Sequence, residues 1–345
     1  MDPLARLSPC EGLSTAELVH VLAHYDLGQL QRYDVPSGGF VNWCRVLETS
    51  QGRFFFKRRH PALRQPQAVA LQHALMGHLR RHGFPAPALV PTRDGGTWLR
   101  LGDEVYEVYE YIDGAPYQAT NPAHLAAVAA TLARYHHLAG TFQPPVELAS
   151  PRLYAPHGIV ARLARLRARW GQDAQCASLL DELQVQATRL AASLPESTYA
   201  AFSHCLIHGD FYADNLVFEG HEIVGVFDYD KVSYQARAVE VAEALIYFAT
   251  TRHPRLRLGV YRGFVDLDRA GRFVHHYCQV LPLSLAERAA LPDLMESIWL
   301  SVSLQRLLEE EECTWDRAPA LLAEARLLSR WIETHGPALR AACGT

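Results

Sequence analysis

At 345 residues the chain is too long for one small core and short for three domains, so two lobes are expected. Its composition, 49% hydrophobic and 20% charged, is that of a folded enzyme with little room for a long disordered tail. The net charge of -4 argues against a general polyanion binder, and a run as short as Lys57-Arg58-Arg59 makes no basic face for nucleic acid. The seven cysteines are scattered without a CxxC pair, against a zinc knuckle or a disulfide framework. The start, MDPLARLSPCEGL, lacks a basic segment followed by an apolar run, and no stretch approaches the ~20 apolar residues of a membrane span. A cytoplasmic location with no membrane partner is the expectation.

Residues 14–25 predict a short helix, with Ser14 as N-cap and Glu17 completing a capping box. VNWCRVLETSQGRFFFKRR predicts two strands joined at Ser50-Gln51-Gly52, since β-branched and aromatic residues flank a turn tripeptide. Helical spacing runs from Gln67 to Arg81 and ends at Gly83. Two further short strands, around Gly102-Asp103, occupy Trp98 to Tyr111. A small sheet with a helix packed on one face suits this order. After Asp113-Gly114 the pattern turns mostly helical, which places an N-terminal lobe at 1–112 and a C-terminal lobe at 113–345. Asn121-Pro122 is a strong helix start, followed by an apolar stripe of Leu125, Val128, Leu132 and Tyr135. Arg152 to Arg169 and Leu179 to Leu194 predict two more helices. One β island interrupts the helical half, CLIHGDFYADNLVFEGHEIVGVFDYD.

That island carries the chemistry. His208-Gly209-Asp210 is followed by Asn215, then a strand, a Gly220-His221 turn, a second strand and Asp228. A strand, a polar loop and a hairpin can hold three oxygen-bearing side chains around one small volume. Asp210 is placed to orient or deprotonate a hydroxyl. Asn215 offers a neutral carbonyl oxygen and Asp228 an anionic one, a pairing that suits magnesium shared with substrate phosphates. A lone Asp or Asn in a loop is ordinarily a turn former. The combined HGDxxxxN pattern with an Asp closing the next hairpin is much more specific.

HGDFYADNLVF (208–218) and VFDYDKV (226–232) resemble the catalytic and metal-binding segments of the aminoglycoside phosphotransferase, choline kinase and homoserine kinase superfamily. The resemblance extends over much of the chain: SGGFVN (37–42) is similar to the family's nucleotide loop, Phe54 to Lys57 to the strand carrying its ATP lysine, Tyr109 to Gly114 to its hinge, and LARYH (132–136) to a helix of its large lobe. It implies an α+β, two-lobed, protein-kinase-like fold with a small β-rich N-terminal lobe and a larger helical C-terminal lobe. It also implies ATP and Mg2+ as cofactors and a small-molecule hydroxyl acceptor. Asp210 would be the base and His208 its loop support; Asn215 and Asp228 would hold magnesium. Lys57 would meet the α/β-phosphates, with Ser37, Gly38 and Gly39 in the nucleotide loop and Glu110, Tyr111 and Ile112 at the adenine. The SGGFVN and FDYDKVSYQAR segments look closest to homoserine kinase-like and spore-coat-kinase-like members.

The chain departs from the family at two sites. Gln72 stands where a Glu often pairs with the ATP lysine, and its amide can hydrogen-bond a lysine but supplies no charge. Glu240 stands where many relatives have an Asp beside the active site. On a strand, Phe55 and Lys57 share a face, which suits a lysine reaching into a cleft. Asp230 can face the side of Asp228 or serve a turn. The pairs His136-His137 and His275-His276 point in different directions on a helix, and packing and surface roles are expected for them. The tryptophans at 299, 315 and 331 are expected in the helical core or its edge. The Glu309 to Glu312 run ends an apolar-periodic segment and is expected to be a solvated face, with attraction of a cationic acceptor as the alternative. Protein Ser/Thr kinase and structural pseudokinase remain open as alternative functions, and a two-metal phosphatase fits less well. Oligomeric state is not legible.

Overall fold

Ser14 begins the first helix, α1 (Thr15–Leu22): its hydroxyl accepts from the Glu17 N–H while the Glu17 carboxylate takes the Ser14 N–H, so two orphan donors are satisfied reciprocally. The computed structural model describes residues 12–36, 41–144, 151–250, 265–309 and 317–344. After α1 come β1 (Leu30–Asp34), β2 (Trp43–Thr49), β3 (Gly52–Arg58), α2 (Pro66–Arg81), β4 (Leu99–Leu101) and β5 (Glu104–Glu110). These strands form one antiparallel sheet in the order β1-β2-β3-β5-β4. The β2–β3 hairpin turns at Ser50-Gln51 with Thr49 opposite Gly52, as its tripeptide predicts. Strand alternation then divides the residues of β3. Phe56 is fully buried with Leu18, Val21, Trp43, Leu47 and Val108 in a core beneath α1, while Lys57 faces away from that core.

The chain next forms β6 (Ala115–Pro116), α3 (Pro122–Thr141), α4 (Pro156–Trp170), α5 (Ala174–Ser193), α6 (Glu196–Ala200), β7 (His204–Ile207), β8 (Leu216–Glu219), β9 (Glu222–Val226), β10 (Ser233–Ala236), α7 (Arg237–Phe248), α8 (Leu267–Val280), α9 (Leu285–Glu309), α10 (Ala318–Ala325) and α11 (Leu327–Ala342). Leu125, Val128, Leu132 and Tyr135 of α3 are all buried in the large core, so the anticipated stripe is the packing face. Two helix starts differ from expectation. α4 begins at Pro156, not at Arg152, because Tyr154 holds a left-handed φ of 53° and Pro156 sets the first helical position. α5 begins at Ala174, where the Asp173 side chain caps the Cys176 N–H. Three strands went unread in the sequence. β1 is a polar edge strand, β6 has two residues, and β10 pairs with β7 at long range. Among the described residues no helix is long and apolar enough to cross a membrane.

β6 pairs with β8, and β8 with β9, so the segment leaving the sheet is stitched to the hairpin between Asn215 and Asp228. The Val226 N–H also donates to the Pro85 carbonyl, just past α2. The sheet and the helical half therefore meet along the β island.

Candidate active site

β7 ends at Ile207, and after His208 the chain must reverse within one residue. Gly209 does this at φ 76°, and a Cβ there would lie 2.5 Å from the Lys231 carbonyl oxygen, so only glycine fits. Asp210 follows, its Oδ1 3.0 Å from Lys231 Nζ. A short 3-10 turn delivers Asn215, whose Nδ2 donates to the Asp210 carbonyl at 2.8 Å and lies 3.3 Å from its carboxylate. With its nitrogen so engaged, the Asn215 amide keeps its oxygen out of any hydrogen bond among the described residues. The Phe227 N–H donates to the Asn215 carbonyl at 2.9 Å, and the next residue, Asp228, takes a left-handed φ of 65°. A non-glycine residue in that region carries backbone strain of about 1–3 kcal/mol, which the surrounding ladder sustains. Asp210, Asn215 and Asp228 are thus brought together.

Lys57 reaches the same cluster from β3. Its Nζ is 2.7 Å from Asp230 Oδ1 and 3.4 Å from Asp228 Oδ1. Burial alone would lower its pKa, but the two carboxylates override that and raise it, so the lysine stays charged. Burial likewise raises both aspartates. At Asp230, Lys57 and Arg59 overcome this and hold the carboxyl at about 2. At Asp228, Lys57 opposes burial, but the like charges of Asp230 and Asp210 add to it and the carboxyl is pushed up to about 6. Protein surrounds Asp228 on most sides, yet its side chain is 37% exposed, the mark of a group at the floor of an open cleft.

Gln72 does not pair with the lysine. Its Nε2 donates to the Asp230 backbone carbonyl at 3.2 Å. The counter-charge that the resemblance places on this helix comes instead from Asp230, which also accepts from Asn42 Nδ2 at 2.6 Å and lies 3.2 Å from Arg59. Arg59 in turn pairs with buried Glu107 at 2.6 Å, and Glu107 takes His73 at 2.8 Å and the Tyr109 hydroxyl at 2.8 Å. The sequence reading left Arg59, Glu107 and Lys231 without roles and Asp230 undecided. Alternation in FFFKRR carries a signal for Arg59, two residues from Lys57 on the same strand face.

The catalytic-type loop is held from behind by α7. Glu240 accepts the His208 N–H at 3.0 Å, the Gly209 N–H at 2.5 Å and His136 Nε2 at 2.7 Å. Burial works against this charge, but His136 and the loop donors prevail and lower its pKa. His136 also contacts the Tyr277 hydroxyl at 2.7 Å, which connects α3, α7 and α8 behind the loop. His136 is therefore a packing residue with a specific partner, while His137 is exposed. The His208 ring is fully buried between Tyr135 and Tyr229; its Nδ1 accepts the Asp210 N–H, and burial keeps the imidazole neutral. Three residues beyond Glu240, Glu243 is also buried and accepts the Tyr154 hydroxyl at 3.1 Å. Two glutamates in RAVEVAEALIYF, otherwise almost wholly apolar after its first residue, were the available signal for such buried carboxylates.

At the hinge, the Glu110 N–H donates to Ala88 and the Tyr111 N–H to Arg53, whose guanidinium lies 3.9 Å above the Tyr111 ring. Among the described residues the Ile112 N–H makes no backbone bond. Ser37, Gly38 and Gly39 lie outside the described residues, as do residues 310–312 of the acidic run and Trp315. Glu309 closes α9 and accepts from Gln305, and Trp299 and Trp331 are buried.

Residues 33–273, more than half of the chain, match the phosphotransferase enzyme family. The chain belongs to that family. The homoserine kinase of Bradyrhizobium sp. (strain BTAi1) is 29% identical over 307 residues, covering 88% of this chain and 86% of that one. An aminoglycoside phosphotransferase from Alicyclobacillus acidocaldarius has the same fold, with a TM-score of 0.68 at 20% identity over 97% of this chain and 98% of its own. A microcompartment-associated aminopropanol kinase gives 0.67 at 19% identity, over 94% and 99%. The fold is thus the two-lobed kinase-like one, with a small β-rich N-terminal lobe and a larger helical lobe. As a phosphotransferase of this family the protein is an ATP-dependent kinase acting on a hydroxyl group of a small molecule.

Proposed function

We propose that the protein transfers the γ-phosphoryl group of ATP to the hydroxyl of a homoserine-, amino-alcohol- or aminoglycoside-like acceptor, with Asp210 as the base. The observation that carries this reading is the tie of Asn215 Nδ2 to Asp210, which sets a carboxylate beside an amide, with Asp210 within electrostatic reach of Asp228. The acceptor oxygen forms a bond to the γ-phosphorus as the bond to the β–γ bridging oxygen breaks. Its proton passes to Asp210, and ADP leaves. Lys231 beside Asp210 keeps the carboxylate oriented, and Lys57 contacts the α/β-phosphates once nucleotide draws it from the aspartates. Among the described residues, no three His, Cys, Asp or Glu side chains converge as a metal cage. Asn215 and Asp228 instead make the sparse oxygen set that fits Mg2+ completed by phosphates and water. Such a metal would neutralise charge on the transferring group.

In this reading residues 1–112 are the nucleotide lobe and 113–345 the catalytic and acceptor lobe. Adenine meets the Glu110 carbonyl and the Ile112 N–H, the hinge amide that makes no backbone bond among the described residues. Homoserine leads the acceptors, because the relatives that align over most of their length are homoserine kinases. Incubation with ATP, magnesium and a panel of hydroxyl compounds tests this. ADP release dependent on L-homoserine or an amino alcohol is expected; release without any acceptor dependence across the panel would defeat the proposal.

A further inference from the structure

The buried carboxylates among the described residues are Glu107, Glu240, Glu243, Glu287, Asp293 and Glu296. Five of them have a basic partner. Glu107 has Arg59 and His73; Glu240 has His136; Glu287 has Arg237; Asp293 and Glu296 share Arg189. This is what the physics requires, since a charge taken out of water without compensation is costly. Glu243 departs from the rule. It is 8% exposed, and among the described residues it forms no ion pair with Lys, Arg or His. Its one hydrogen bond among the described residues comes from a neutral donor, the Tyr154 hydroxyl on Oε1.

The position of this carboxylate matters as much as its isolation. It lies one turn beyond Glu240 on α7, and Asp210 and Lys231 are among the charged groups that act on it most strongly. Tyr247, one turn further along, feels both Glu243 and Asp210, and its ring lies 5.7 Å from that of Tyr212, which follows Asp210 in the loop. Tyr154 is itself fixed in its left-handed backbone conformation, with the Ser297 hydroxyl donating to its carbonyl at 2.5 Å. A buried carboxyl group without a basic partner among the described residues thus stands on α7 between Glu240, which holds the His208 and Gly209 amides, and Tyr247, whose ring meets that of Tyr212.

We propose that Glu243 is the ammonium anchor of the acceptor site, receiving the protonated amine of an acceptor whose hydroxyl is presented to Asp210. This rests on the reading of Asp210 as the base and adds to it the residue that selects the amine those acceptors share. A neutral acceptor would leave the group protonated, whereas an ammonium brings the charge that stabilises the carboxylate and three donors for it, with the aromatic pair Tyr212 and Tyr247 nearby. A metal ion fits less well, because no set of carboxylates converges there. In the free protein burial, reinforced by Glu240 and Asp210 and opposed by Lys231, pushes Glu243 up to about 8, so near neutral pH the group is held protonated, and an arriving ammonium restores its charged form.

The test is calorimetric binding to the full chain held with magnesium and a non-hydrolysable ATP analogue, so that turnover is not needed. L-homoserine is compared with 4-hydroxybutanoate, which lacks only the ammonium, and 3-aminopropan-1-ol with butan-1-ol, where a methyl replaces it. The parent is expected to prefer the ammonium member of at least one pair by about 10- to 100-fold, the range of a charge-assisted hydrogen bond. Glu243→Gln should reduce that preference to within about threefold, and Glu243→Asp, which keeps the charge, should retain most of it. No preference in the parent, an undiminished one in the Gln variant, or equal loss in both variants would overturn the assignment. Loss of turnover in Asp210→Asn with the binding preference intact separates the fate of the base from that of the anchor.

Discussion

The two walls of the active cleft treat buried charge in opposite ways. On the sheet side Lys57, Arg59, Glu107, His73 and Asp230 form a closed network in which each cation meets an anion and the remaining lone pairs find donors. On the α7 side Glu243 is buried with a tyrosine hydroxyl as its hydrogen-bond donor and, among the described residues, without an ion pair. The difference separates a wall built to keep its shape without ligand from one whose electrostatics are completed by what binds there.

The largest effect is expected from breaking the saturated wall. Arg59→Met strands Glu107 in the interior and should cost about 3–5 kcal/mol in urea unfolding. Adding Glu107→Met should recover part of that loss, because the charge left behind is then gone. Where the walls meet, Asp210→Asn should lower turnover by about a hundredfold or more while leaving the thermal melt and nucleotide binding in place. Near-parental turnover with an intact fold would take the base role away from Asp210. Next in size, Lys57→Met should weaken nucleotide binding by about 1.5–3 kcal/mol, the range for a hydrogen bond to a charged group, as read by competition with a fluorescent analogue.

The smallest effect has the opposite sign. Burial raises the Glu243 carboxyl from 4.5 to about 8, so the folded state holds a proton that the unfolded chain has already lost. The associated stability is full below the unfolded value and is lost as pH rises through the folded one. Glu243→Gln should therefore melt a few degrees above the parent at pH 8 to 9 and show no such gain at pH 4. A lower melting temperature across the whole range would place Glu243 with the shape-keeping residues of the other wall.

Local chemistry made much of this legible in the sequence. The capping box at Ser14, the Ser50-Gln51 turn, Asn121-Pro122 and the HGDxxxxN segment each state their geometry within a few residues. Lys57 was reached by alternation and resemblance, and it does arrive at Asp228. What escaped depends on partners far along the chain. β10 exists because β7 lies beside it, and the lysine's counter-charge sits at Asp230 rather than at Gln72. Asp230 is 173 residues from Lys57, so spacing carries no trace of the pair. Glu243 escaped for another reason. Its environment is defined by a missing cation, and absence leaves no motif.

Glu240 also bears on how such an enzyme can be rebuilt. Its carboxylate ends a side chain one methylene longer than the Asp expected from the family resemblance, and both of its oxygens are committed to the amides of His208 and Gly209 and to His136. Helix and loop are therefore spaced for glutamate, by roughly one carbon–carbon bond of about 1.5 Å. A catalytic loop transplanted from an Asp-bearing relative would meet a carboxylate that overshoots its amides, and Glu240→Asp alone would leave the native amides out of reach. The exchangeable cassette is then not residues 208–215 but that loop with α7 and the α3 histidine, three separate stretches of chain that have to be moved as one part.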